Sequence, residues 1–403
     1  MHRIRELEND HPDGPVYSSS SYPWMGDQSG IPSEPGRPDQ IDEFLPCHYF
    51  DYFAGMSTGG WSAMMLGRFR MSVDDAINSF ISIISHVFSQ PRLFHQMPLF
   101  PFIERAKYSI EEAREVYERL GMQYQRRWER EDTKYGFDGK DLYFWQPWYG
   151  SQTMVMCFDV TNGVIMLTSD TYISYNPTAW EVMSATSAGL PYFDTTMIDN
   201  TTFALTKGLA HNPSQSALER IRYFDGKSPA VLVSLGSGGG ELIPSLPLEL
   251  GFGLKGYRQP QDVFPVLGGD MGIHHSYRLN VQGDLGQIPF DDWQPRQSGE
   301  TTIQHIRDIT ETYLGTAEVE VDINRIAKEA VRIRRARAQT EGWEAFAINV
   351  QYTCSLCPRL TPFVTADRTI VREHLEASHK GRSMSNQEVE SLLNASRTYR
   401  GRG

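Results

Sequence analysis

Cysteine is scarce in this chain: Cys47, Cys157, Cys354 and Cys357 are the only four in 403 residues. That is too few for a disulfide framework, and the C-x2-C spacing of the last two points to metal instead. Positive charge is short as well. Lys and Arg number 38 against 50 Asp and Glu, a formal net charge of −12. No whole-molecule attraction to nucleic acid or anionic lipid follows, and any such contact needs a local patch. Long hydrophobic runs are missing. The longest, Phe80–Phe88, is broken by serines and His86 and is far too short for a bilayer. No charged stretch followed by an apolar one opens the chain, so a secretory signal is not expected. The expected location is cytoplasmic, with room for peripheral contact with membranes.

What is present suffices for a sizeable core: 40% hydrophobic and 12% aromatic residues, in a chain longer than one average domain. Met1–Asp10 reads as a short helical piece, and residues 11–42, dense in Pro, Gly, Ser and Asp, read as loop or disorder. Order begins at Cys47. Tyr49–Ala54 reads as a buried strand, GMSTGG follows, and Trp61–Leu66 is helical in pattern. Ser72 with Asp75 and Ser109 with Glu112 look like helix starts, the first helix running to Phe88 and the second ending near Leu120. Met154–Phe158, Gly163–Leu167 and Ala230–Leu235 read as strands, and Thr302–Tyr313 and Val319–Ala338 as helices. Strands alternating with helices imply an α/β core. The expected organisation is an N-terminal segment over 1–43, an α/β domain over 44–294, a helical extension over 295–345, a Cys/His module over 350–383 and a polar tail over 384–403.

Gly55-Met56-Ser57-Thr58-Gly59 is a G-x-S-x-G between the first strand and the first helix after it. A bare motif of this kind is also what an ordinary Gly/Ser turn looks like. Between strand and helix it has a chemical use. A sharp turn lifts the Ser57 hydroxyl clear of the sheet, and the elbow glycines Gly55 and Gly59 are expected to spare the backbone side-chain clashes. The Thr58 N–H faces a developing oxyanion, and the helix N-terminus adds positive potential.

The wider context, Tyr49-Phe50-Asp51-Tyr52-Phe53-Ala54-Gly55-Met56-Ser57-Thr58-Gly59-Gly60 with Met65-Leu66-Gly67-Arg68 and Met71-Ser72-Val73-Asp74, closely resembles patatin-like phospholipases of the fungal type. Ala185-Thr186-Ser187-Ala188, Tyr192-Phe193, Val231–Gly236, Arg278-Leu279-Asn280-Val281 and Gly286 to Trp293 extend the resemblance over most of 44–294. It implies a three-layer α/β/α domain that hydrolyses acyl esters of phospholipids through a Ser–Asp dyad. Ser57 would be the nucleophile, and Thr58 would supply one oxyanion N–H. Two family parts have no counterpart. Nothing before Ser57 reads DGGGxRG, and Ile4-Arg5-Glu6-Leu7 looks like the helix that follows that loop. The TFVDGGLGxNNP box falls on Thr202 to Pro213, where Leu205 takes the aspartate position and Thr206-Lys207 replace glycines. The resemblance thus implies an enzyme of reduced power, or a catalytically inactive protein that binds lipid or a protein partner. Asp194, Asp199, His211, His274 and His275 are the nearby groups that could substitute. GSGGG at Gly236–Gly240 could cradle a phosphate but lacks the Lys-Ser/Thr of a P-loop. With Gly268-Gly269-Asp270 it reads as a turn.

Cys354-x2-Cys357-x16-His374-x4-His379 offers two thiolates and two imidazoles at zinc-finger spacing. A hairpin would present the cysteines and a helix the histidines, around a structural zinc ion in a small ββα unit whose core includes Phe363 and Val371. No cofactor is expected for catalysis. Arg332, Arg334, Arg335 and Arg337 form a basic helix face that could meet phosphate or anionic lipid, or simply be solvated. A lone finger in an acidic chain suits a protein partner, and nucleic acid is not an expected one.

Overall fold

The computed structural model describes residues 1–15, 44–92, 106–128, 142–145, 150–170, 176–190, 192–204, 212–226, 228–238, 273, 275–281, 284–288, 291, 300–358, 361–379 and 385–399. Helix α1 (His2–Asn9) opens the chain. Pro46–His48 then form a 3₁₀ turn, which delays the first strand by three residues relative to the sequence expectation: β1 is Tyr52–Met56. It runs parallel to β2 (Gln152–Asp159), with Met56 beside Met156. In β2 every residue from Thr153 to Cys157 is buried, as a strand covered on both faces requires. Helices α2 (Thr58–Ala63), α3 (Val73–Phe88), α4 (Ile110–Trp128) and α5 (Ala179–Ser187) share one core with Val155 and Cys157 of β2. Met154, on the opposite face by strand alternation, packs on Ala217 and Ile221 of α6 (Ser214–Asp225). Ser72 caps α3 through the Asp75 N–H at 3.1 Å, as its spacing implied, whereas α4 continues past Leu120 to Trp128.

β3 (Gly163–Thr168) folds back antiparallel along β2, so the sheet is mixed. β4 (Thr196–Ile198) and β5 (Thr201–Phe203) make a hairpin around Asp199 and Asn200, and Phe203 pairs with Asp159 of β2. Because β3 fills one edge of β2 as far as Asp159, β5 must lie on the edge that β1 occupies up to Met156. Ala204 N–H donates to the Phe158 carbonyl at 3.0 Å, so the chain leaves β5 running back along β2 toward the end of β1. β6 (Val231–Leu235) and β7 (His275–Leu279) form a separate parallel pair. Among the described residues, no helix is long and apolar enough to cross a membrane.

Helices α7 (Glu300–Leu314) and α8 (Ala317–Ala338) lie where Thr302–Tyr313 and Val319–Ala338 read as helical. The basic face expected on α8 is not free. Arg334 is fully buried, with its guanidinium over the rings of Tyr49 at 5.5 Å and Trp343 at 4.9 Å. Arg335 pairs with the buried Glu8 of α1, Arg337 with Asp51 at 2.6 Å, and Arg332 with Glu329. Three of these four arginines thus tie α8 to the N-terminal segments or to the residues that follow it.

The C-terminal module comprises α9 (Trp343–Ile348), β8 (Val350–Thr353), β9 (Val364–Thr365), α10 (Arg368–Ser378), α11 (Asn386–Ala395) and β10 (Arg397–Tyr399). The polar tail expected over 384–403 therefore contributes structure. Val389 and Leu393 of α11 bury against Val371 and Leu375, and β10 pairs with the edge of β8 opposite β9. The module is latched to the front of the chain by Trp343, whose ring meets that of His48 edge-on at 5.4 Å, and by the Ala347 carbonyl. That carbonyl lies 3.1 Å from His48 Nε2 and also accepts from Arg70 Nη2.

His48 is wholly buried. Burial first, then the nearby charges of Arg70 and Arg334, holds its imidazole well below the ordinary value of 6.5. A depressed imidazole is neutral when folded and takes up a proton when unfolded. Its contribution to stability is therefore whole above pH 6.5 and is lost as pH falls from there toward the folded value. Urea midpoints measured between pH 7.5 and 5 should decline below pH 6.5 in the native protein, and the decline should be shallower in His48→Phe.

Candidate functional site

The turn after β1 is made by one residue. Ser57 has φ 55° and ψ −127°, and Thr58 already belongs to α2. A side-chain-bearing residue in this region costs on the order of 1–3 kcal/mol and persists only where its surroundings enforce it. Two glycines and one threonine do so. A Cβ on Gly55 would fall 1.9 Å from the Gly59 carbonyl oxygen, so strand and helix can meet this closely only at glycine. A Cβ on Gly60 would fall 2.8 Å from the side chain of Thr186. Thr186, on α5 and buried, accepts the Ser57 N–H at 2.8 Å and donates to the Met156 carbonyl at 2.7 Å. One hydroxyl thus ties the turn to the neighbouring strand. Gly59, which the motif offers as the second crowded glycine, has nothing within 4 Å of its missing Cβ, and the crowding falls on Gly60.

The Ser57 side chain makes no cap bond to α2 and is half-buried. The first N–H groups of α2, including that of Thr58, therefore lack a side-chain cap, which leaves positive potential beside the hydroxyl. Among the described residues no group accepts a hydrogen bond from the Ser57 hydroxyl. Asp194 is engaged with Arg92 at 2.6 Å. Asp199 is exposed at the tip of the β4–β5 hairpin with φ 52°. His275 is exposed at the start of β7. His211, His274, Leu205, Thr206, Lys207 and the Gly268-Gly269-Asp270 turn lie outside the described residues.

The second constellation is at the C-terminal module. Cys354, Cys357, His374 and His379 bring their Sγ and Nε2 atoms within 4.8 Å of one another, and the group can hold a metal ion. Separations are 3.5 Å for Cys354 Sγ to His379 Nε2, 3.1 Å for Cys357 Sγ to His374 Nε2, and 3.7 Å for Cys357 Sγ to His379 Nε2. Cys354 follows β8, and its N–H donates to the Phe363 carbonyl at 2.9 Å. Both cysteines thus sit at the end of the hairpin. Asp367 caps α10 through the Thr369 N–H at 2.7 Å and sets the helix that carries His374. Phe363, expected as a core residue, stacks on the His374 ring at 3.8 Å and 3°. His374 Nδ1 lies 3.3 Å from Ser378 Oγ, so its Nε2 faces the cysteines. Burial, then the charge of His379, lowers the His374 imidazole, and burial raises the Cys354 thiol.

Thr186 is the residue whose role sequence reading did not supply. Its segment stands out in the resemblance, yet nothing local marks a threonine 129 residues away as the anchor of the turn. The β4–β5 hairpin did carry a signal, the short runs Thr196-Met197-Ile198 and Thr201-Thr202-Phe203 separated by Asp199-Asn200.

The two elbow glycines should separate sharply. Gly55→Ala should lower stability by about 3 kcal/mol through the backbone collision. Gly59→Ala, open and helical, should stay within about 0.5 kcal/mol of the native chain. Urea unfolding of the two variants beside the parent reads the difference.

The chain matches no protein-family model, no curated protein and no solved structure.

Proposed function

We propose that this protein is a patatin-like lipid acyl hydrolase of phospholipase A or lysophospholipase type, with diminished catalytic power, that works through an acyl-Ser57 intermediate. The observation that carries this reading is the strained Ser57 turn between a parallel strand and a helix, anchored by Thr186. Strain maintained at one half-buried hydroxyl is what a nucleophile needs and what a plain loop does not. In this reading Ser57 Oγ attacks the ester carbonyl carbon. The carbonyl oxygen gathers charge against the Thr58 N–H and the α2 N-terminus, and the lipid alcohol departs with a proton. Water then releases the fatty acid and restores the hydroxyl.

The reduction in rate follows from the residues. Leu205, at the position where the resemblance implies an aspartate, cannot take the Ser57 proton, and nothing before Ser57 reads DGGGxRG. Loss of one oxyanion donor costs about 10²–10³ in rate. The second reading, a catalytically inactive protein that binds acyl lipid or a protein partner, is favoured by the absence of a described acceptor for the Ser57 hydroxyl. One comparison separates them. Slow hydrolysis of a lysophospholipid and of a short-chain aryl ester should disappear in Ser57→Ala, and equal turnover by parent and variant would refute the acyl-enzyme.

The C-terminal module in this reading is a zinc finger with a structural ion. Zn–S near 2.3 Å and Zn–N near 2.0 Å in a tetrahedron put S and N about 3.5 Å apart. The three S···N separations, 3.1, 3.5 and 3.7 Å, bracket that value. Four protein ligands close the coordination shell, so the ion supplies folding free energy and no open position for chemistry. The module then serves as a surface for a protein partner. Purified full-length protein should carry about one zinc per chain by elemental analysis. Cys357→Ser should lose most of it and melt earlier, and zinc content unchanged in the variant would rule out this site.

A further inference from the structure

The parallel pair β6–β7 ends in a group of polar residues that the acyl-transfer chemistry does not use. In register, Ser234 stands beside Arg278, and Arg278 Nη1 donates to Ser234 Oγ at 2.6 Å. The same hydroxyl lies 3.3 Å from Ser214 Oγ, on the first residue of α6. Arg278 and the α6 N-terminus, a fixed charge and a positive helix end, therefore approach one another across the Ser234 and Ser214 hydroxyls, with Asn212 Oδ1 accepting from Ser214 N–H at 3.0 Å and Asn212 Nδ2 donating to Ser234 Oγ at 3.4 Å. Among the described residues no carboxylate pairs with Arg278, and its Nε is buried with no hydrogen-bond partner. Burial lowers its pKa, against the raising influence of Tyr313.

The loop that follows β6 is shaped around this guanidinium. Gly236 has no room for a Cβ, which would lie 1.9 Å from Asn280 Oδ1 and 2.8 Å from Arg278 Nη2. Gly238 takes φ 111°, and its N–H donates to Asn280 Oδ1 at 3.1 Å. Asn280 thus holds the glycine loop over the strand ends, beside the arginine. The carboxyl ends of parallel strands are where open α/β sheets receive ligands, and a guanidinium with an unused donor suits a phosphate oxygen.

The geometry points to an anion subsite at Arg278, bounded by Ser234, the Gly236–Gly238 loop and the start of α6, that takes a phosphate group. If the acyl-hydrolase reading holds, that phosphate is the diester of a phospholipid head group. The subsite itself does not depend on Ser57 being active, and a free phosphate has the same oxygens.

Binding rather than turnover tests it, so failure of the subsite and failure of the esterase are told apart. Inorganic phosphate and the soluble diester glycerophosphocholine are titrated calorimetrically into the full-length protein and into Arg278→Gln. Binding by the parent should weaken about ten- to hundred-fold in the variant, the range for a charged hydrogen bond. Binding of the diester assigns the subsite to a lipid head group, and binding of inorganic phosphate alone assigns it to a free phosphate. Because the variant could misfold, the native protein is also labelled with phenylglyoxal and mapped by mass spectrometry. The bound ligand should protect Arg278. Absence of binding by the parent, equal affinity in a folded Arg278→Gln, or labelling of Arg278 at an unchanged rate would each overturn the subsite.

Discussion

The constraint on which the Ser57 turn depends is the approach of Gly55 to the Gly59 carbonyl, which has no space for even a methyl group. It compels the chain to reverse from strand to helix through Ser57 alone, and the strain this places on Ser57 must be supported from outside. β1 has to be fixed by its pairing to β2, α2 by its packing on the shared core, and the Ser57 N–H by Thr186. Thr186 in turn depends on α5, whose start is set by a capping box between Thr178 and Glu181. The sheet, two helices and a distant cap thus converge on one backbone amide. A site built this way is preorganised by its scaffold rather than by its own loop.

How much of this the sequence discloses depends on the range of the interaction. The Ser57 turn and the capped α3 are local, and GMSTGG and Ser72–Asp75 carry their signatures within a few residues. The Cys/His group is legible because thiols and imidazoles at fixed spacing have few other uses. Gly59 was misread because a motif assigns both of its glycines the same reason, whereas the packing of Thr186 gives that reason to Gly60. The arginines of α8 show the limit most clearly. In sequence they are a basic face. In space Arg332 pairs with Glu329 on its own helix, whereas Arg334, Arg335 and Arg337 meet Glu8, Tyr49, Asp51, Trp343 and Phe346, which arrive from segments no pattern connects. Nor did composition reveal that Val389 and Leu393, in a polar stretch, complete the core of the C-terminal module.

These arginines also change how the acidic balance of the chain should be viewed. Three basic side chains of α8 are spent on internal contacts, one of them entirely removed from water. A guanidinium is suited to this, since it stays charged and can lie flat on an aromatic ring while its edge donates hydrogen bonds. Replacing any of them by lysine would keep the formal charge and lose the planar contact. Electrostatics here acts less as an outward field than as internal fastening.

The bond between Glu8 and Arg335 spans 327 residues and has a consequence in time. Helix α1 leaves the ribosome long before α8, which carries the arginine that receives its carboxylate. At ordinary synthesis rates the interval is roughly 15–65 s. Throughout it Ile4 and Tyr49 lack the Ala327–Val331 surface that later covers them. Helix α1 thus cannot dock until α8 appears, and the chain must carry its apolar face uncovered throughout that interval.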